Sequence, residues 1–163
     1  MLEFLRELLG HSEWADAAFF QAWGASPARE NEELRRRVDH IITVQRAFLS
    51  ILGGGQPLWP SDGPPPGFEE LKTRSEEAHR GLRTFAAGLD PEAIARTVRL
   101  PWFPEPPCVL TVAEGLVQVA LHTQHHRGQC MTRLKDFGGA PVNVDWVIWI
   151  WQGKPTNASQ GSA

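Results

Sequence analysis

Three histidines fall within five residues, at His122, His125 and His126. An imidazole carries a proton near neutral pH and is also the commonest metal ligand. On a helix, residues four apart sit about 40° from one another around the axis, so the rings of His122 and His126 converge on one point. His122 and His125, three apart, form a second candidate pair. The surrounding apolar residues choose between them. At about 100° per residue, Val112, Leu116, Val119, Thr123, Cys130, Leu134 and Phe137 share one face. His126 falls inside the edge of that face, His122 lies just beside it, and His125 turns toward solvent or a neighbouring element. The interior-facing pair is therefore His122 and His126. A third ligand should come from a facing helix, and His40 is the best candidate, at the border of its own segment's apolar face one turn before Val44. Three imidazoles suit Zn²⁺, Ni²⁺, Fe²⁺ or Cu²⁺ without choosing among them. Three protein ligands leave a position for water or substrate, as in catalytic zinc sites.

Several neighbours bear on that site. Gln129 falls close to His122 on the helix and is a candidate to orient a ligand ring or a bound water. Arg127 points toward the apolar side, where it would pair with a carboxylate such as Asp145 or cross a dimer contact. Gly128 is expected to allow close helix packing. Cys130 sits at the centre of the apolar face, where a buried, inert thiol is the common case. His125 reads as a surface residue, and His11 and His79 lack partners at useful spacing. Trp14, Trp146, Trp149 and Trp151 read as core or interface residues. No P-loop, dinucleotide-binding glycine pattern or G-x-S-x-G motif is present, so nucleotide and serine-hydrolase chemistry have no support.

The elements that must position the histidines are legible as helices. Apolar residues recur at helical spacing from Leu2 to about Trp23, and Ser26-Pro27 ends that segment. Asn31 is a good N-cap for a second helix with Glu32 and Glu33 in its first turn, stopped by Gly53, Gly54 and Gly55. The Gly- and Pro-rich stretch 53–67 must be a loop, and it is placed to wall a pocket on the ion. A third helix runs from about Phe68 to Leu89. Residues Arg96 to Leu100 alternate and suggest a short extended piece, part of a small hairpin. Thr111 and Glu114 form a capping box ahead of a fourth helix reaching about Phe137. Val142 to Trp151 reads as a short terminal helix.

Together these predict an all-α, up-down four-helix bundle with a short C-terminal helix, spanning 1–152, and a disordered tail over 153–163. The length of 163 residues suits one domain. A net charge of −3 argues against a sequence-blind nucleic-acid binder. Neither a signal peptide nor an uninterrupted apolar run of membrane-spanning length is visible, so no membrane partner and a cytoplasmic location are expected. Two cysteines, Cys108 and Cys130, make no disulfide framework.

The run His122-Thr-Gln-His125-His126-Arg127-Gly128-Gln129, followed by Leu134, Gly138, Gly139, Pro141 and Asp145, resembles the DinB superfamily of bacterial helical-bundle proteins. His40-Ile41-Ile42 with Phe48-Leu49, and Trp14-Ala15-Asp16, which is close to a W-A-N motif, are similar to two further features of that family. The resemblance spans about Leu2 to Trp151. It implies a four-helix bundle, a metal site of His40, His122 and His126, and a homodimer. Such proteins include thiol S-transferases that use bacillithiol and a mycothiol-dependent maleylpyruvate isomerase. The expectation is then a metal-dependent transferase, holding Zn or Ni, that activates a low-molecular-weight thiol for attack on an electrophile. The alternatives are a metal-dependent hydrolase, with Glu13 or Asp16 as general base, and a non-catalytic dimer with a structural metal.

Overall fold

The computed structural model describes residues 1–59 and 63–156. Four long helices form the bundle: α1 (Leu2–Gly24), α2 (Glu32–Leu52), α3 (Phe68–Ala87) and α5 (Val112–Asp136). Between the third and fourth lie a one-turn helix α4 (Pro91–Ala95) and a hairpin of β1 (Thr97–Arg99) and β2 (Val109–Thr111). The two strands pair antiparallel with Val98 opposite Leu110. A terminal helix, α6, covers Trp146–Trp151.

The caps read from the sequence are in place. The Asn31 side chain accepts from the Leu34 N–H at 3.0 Å. Thr111 and Glu114 form a reciprocal capping box, with the Thr111 N–H donating to Glu114 Oε2 at 2.7 Å and the Glu114 N–H to Thr111 Oγ1 at 3.2 Å. These bonds satisfy helix-end donors that would otherwise be orphaned. Asp90 caps α4, and Pro91 supplies a preset φ at its first position. Gly138, at φ +82°, gives α5 its left-handed stop. The terminal helix starts later than the apolar run suggests. The Asn143 side chain accepts from the Asp145 N–H at 3.0 Å, a local turn that holds the chain out of the helix up to Asp145 at the N-cap position.

Each of α1 and α2 packs against both α3 and α5, so α1 and α2 face each other across the bundle diagonal. Trp23, Leu34, Leu71 and Leu134 fill one end of the core, and Leu5, Leu52, Leu82 and Leu116 the other. A third cluster of Trp14, Ala15, Val144 and Trp149 docks the C-terminal segment on α1. His11 donates from Nε2 to the Val144 carbonyl at 2.8 Å and reinforces that docking. Residues 153–156 follow the same surface, with Lys154 paired to Glu7 and the Pro155 carbonyl accepting from the Trp149 indole at 3.1 Å. The remainder of the expected tail, 157–163, lies outside the described residues.

One polar network crosses this apolar interior. Asp16 of α1 receives Arg127 Nη1 of α5 at 2.5 Å and His79 Nε2 of α3 at 2.8 Å. Gln45 of α2 donates to Asp16 Oδ2 at 3.3 Å and to Thr123 Oγ1 of α5 at 3.2 Å. All four long helices are thereby tied to one carboxylate. Burial alone pushes the Asp16 carboxyl up, but the Arg127 charge and the His79 hydrogen bond outweigh it and hold the group at about 2.

Candidate metal centre

The α2–α5 contact brings His40, His122 and His126 together. Their ring centroids are 5.1 Å (His40–His122), 4.8 Å (His40–His126) and 4.3 Å (His122–His126) apart. One nitrogen from each ring lies within 4.8 Å of the others. Tetrahedral Zn–N bonds of about 2.0–2.1 Å put ligand nitrogens roughly 3.3 Å apart, so small side-chain rotations close this set around one ion. The donor chemistry fits. His122 Nδ1 is buried and has no hydrogen-bond partner, an arrangement that costs free energy unless something else fills it. Burial first, then the neighbouring His126, His40 and His125, holds the His122 imidazole down to about 4. His40 is lowered in the same way, by burial and then by His126. Neutral rings at neutral pH offer the lone pairs that a metal needs.

Gln129 is a support, but for a different ring than the helix count suggests. Its Oε1 lies 2.9 Å from His126 Nδ1, and its amide nitrogen lies 3.1 Å from His125 Nε2. An amide oxygen only accepts, so this bond puts a proton on His126 Nδ1 and leaves Nε2 as the nitrogen that can face an ion. Arg37 of α2 also donates to Gln129 Oε1, at 3.4 Å. Gln129→Ala is expected to weaken metal affinity about 10–100-fold while leaving the fold intact. A competition titration against a chromophoric chelator checks this, and unchanged affinity would exclude the orienting role.

The histidine environment also fixes a pH dependence. His122 prefers its neutral form in the fold, with a folded value near 4 against an ordinary 6.5. The unfolded chain therefore binds the extra proton first, and stability present above pH 6.5 falls as pH drops from 6.5 toward 4. The urea midpoint of chelator-treated protein should decline across that window, and His122→Leu should flatten the slope. Equal slopes in both proteins would remove His122 as its source.

Other expectations are corrected by the geometry. Arg127 pairs with Asp16, not Asp145, because its side chain runs inward along α5 to α1, where it is 2% exposed. Gly128 faces open space, with nothing within 4 Å of where a Cβ would stand, so it packs no helix. His79 does have a partner, supplied from α1 rather than from nearby sequence. Trp151 is 81% exposed and belongs to no core, whereas Trp14 and Trp149 are buried. Cys130 is fully buried, and that burial foremost pushes its thiol up to about 12, in keeping with an inert core cysteine. His125 is exposed, as expected.

Beside His40 and His122 a cavity of about 750 Å³ opens. Phe48 of α2, Leu58 and Trp59 of the loop after it, and Trp102 and Phe103 of the hairpin turn form its apolar walls. The loop over 53–67 does contribute a wall; the hairpin's share had no signal beyond Trp102 and Phe103 standing in a Pro-rich turn.

Comparison with known proteins agrees with this geometry. A family model described as the DinB superfamily matches residues 13–130, a span holding all three histidines and the Asp16–Arg127 pair. No curated protein and no solved structure matches the chain. Among the described residues, no helix is long and apolar enough to cross a membrane.

Proposed function

The chain belongs to the DinB superfamily, and we propose that it is a metal-dependent transferase that joins a low-molecular-weight thiol to an electrophile at His40, His122 and His126. The observation that carries this reading is the trio of imidazole nitrogens within 4.8 Å of one another at the edge of an open cavity. Zn²⁺ or Ni²⁺ is the ion proposed. A divalent ion held by His40, His122 and His126 would supply Lewis acidity that favours a thiolate near neutral pH. The protein's own groups do the remainder. Gln129 fixes the His126 tautomer, the His40 and His122 imidazoles are held below their ordinary range, and the apolar cavity walls offer a surface for the second reactant.

The hydrolase alternative needs a free general base. Glu13 is paired with Arg83, and Asp16 is buried between Arg127 and His79. The carboxylate that does line the cavity, Glu114, already accepts from Thr111. Each of the three is already engaged, which favours the thiol reading. Homodimerisation and a cytoplasmic location belong to the same proposal. Val147, Ile150 and Trp151 of α6 are exposed apolar residues that a second copy would cover, and sedimentation of the full chain tests for it.

The decisive assay is conjugation of a small thiol to a neutral electrophile by metal-loaded protein, with and without chelation. Turnover that disappears with the metal is the expected result. Loaded protein with no thiol turnover would refute the transferase reading.

A further inference from the structure

The cavity beside the histidines is built from α2, the loop after it, the hairpin and α5, and aromatic and aliphatic side chains make up most of its lining. Phe48 and Trp102 face each other at 5.5 Å between centroids with planes 33° apart, and Trp59 meets Trp102 edge-on at 6.2 Å. Leu58, Trp59 and Phe103 stand at its mouth, where they are 39%, 60% and 54% exposed. Large aromatic side chains left that open in a concave site signal a ligand surface rather than a core. No lysine or arginine lines the cavity among the described residues, and the acidic group at its wall, Glu114, is held ionised by its bonds to Thr111. An anion entering would face the ionised Glu114 and would meet no lysine or arginine, only the uncharged donors of Thr43 and Gln118 beside the two histidines.

The other side of the trio is different. The cavity reaches His40 and His122 but not His126. Beyond His126 stand Gln129, the exposed His125, and Arg37, which reaches Gln129 and is paired with Glu33. The three histidines thus separate an apolar aromatic slot from a polar flank. The volume of about 750 Å³ lies in the range of small-molecule sites.

We propose that this cavity is the subsite for the electrophilic partner, an uncharged molecule with a flat aromatic body, and that the charged thiol approaches from the Arg37 and Gln129 side. The assignment of reaction roles rests on the proposed transferase; the binding preference does not.

The test uses the full chain and N-phenyl-1-naphthylamine, a neutral dye that accepts energy from tryptophan. One saturable site per chain is expected, with dye emission excited through the indoles of Trp59 and Trp102. Val44→Trp, which fills the cavity from its half-buried α2 wall, should weaken the dye by at least about tenfold. Thr43→Trp serves as a second filling variant should the first disturb the fold. The anionic relative 8-anilino-1-naphthalenesulfonate should bind at least about tenfold more weakly than the neutral dye. Styrene oxide, a neutral aromatic electrophile, should displace the dye, and glutathione, a charged thiol, should not. His126→Ala, at the one histidine of the trio that the cavity does not reach, should retain the dye, so a failed metal site and a failed cavity are told apart. The proposal is overturned by absent saturation, by filling variants that leave affinity unchanged, by preference for the sulfonate, or by displacement with glutathione alone.

Discussion

Asp16→Ala is expected to destabilise the protein by about 3–5 kcal/mol, the largest loss of any single polar substitution in the chain. The reason is the company that Asp16 keeps. Arg127 is 2% exposed and its Nη1 lies 2.5 Å from the carboxylate. Removing the carboxylate leaves a guanidinium in the interior with no countercharge and strips His79 and Gln45 of an acceptor. Arg127→Ala should cost a similar amount for the mirror-image reason. Replacing both at once, as Asp16→Leu with Arg127→Met, should recover much of the loss, because neither charge is then stranded. Urea unfolding of the four proteins reads out the cycle, and single-variant losses below about 1 kcal/mol would contradict it. The effect reaches the metal site through α5. Arg127 follows His126 directly, so the bond to Asp16 fixes the rotation of the helix that presents His122 and His126.

His122→Ala and His126→Ala should behave in the opposite way. Each is expected to lower metal affinity by at least about 100-fold, more than the loss of the supporting Gln129. Stability of the metal-free protein should change little. Both rings are only part-buried, and His122 Nδ1 makes no hydrogen bond that its removal would break. His125→Ala should alter neither quantity much, since its exposed ring stands edge-on to His126 and bonds Gln129 without joining the ligand trio. If His125→Ala removed the metal and His126→Ala did not, the ligand assignment would be wrong. Comparing the Asp16 and His122 variants separates what folds the bundle from what arms it.

The parts of this account that the sequence made legible are those governed by local rules. Helix 3.6-residue spacing set His126 and His122 apart from His125, and burial of the flanking Val119, Thr123 and Cys130 confirms that face. Asn31 and the Thr111–Glu114 box marked helix starts because a cap is a contact within four residues. What stayed hidden depends on which helices are neighbours. Nothing near His79 in sequence announces Asp16, 63 positions away. Arg127 could be seen to point inward, but its partner on α1 became visible only with α1 packed on α5. Gln45 carried a weak signal, as a lone amide on the apolar stripe between Ile41 and Phe48, as did Asp16 beside the core residue Trp14. The cavity was the least legible feature, since Phe48, Trp59 and Trp102 meet only once a loop and a hairpin close over α2.

The central claim is that three imidazoles from two helices hold one ion with a position left for substrate. X-ray absorption of the full chain loaded with Zn²⁺ or Ni²⁺ tests it most directly. One ion per chain, three imidazole nitrogens, at about 2.0–2.1 Å for Zn²⁺, and an exchangeable oxygen that a small thiol replaces with sulfur are the expected result. A chain that takes up no stoichiometric metal, or an ion whose shell keeps all three nitrogens after His122→Ala, would contradict it.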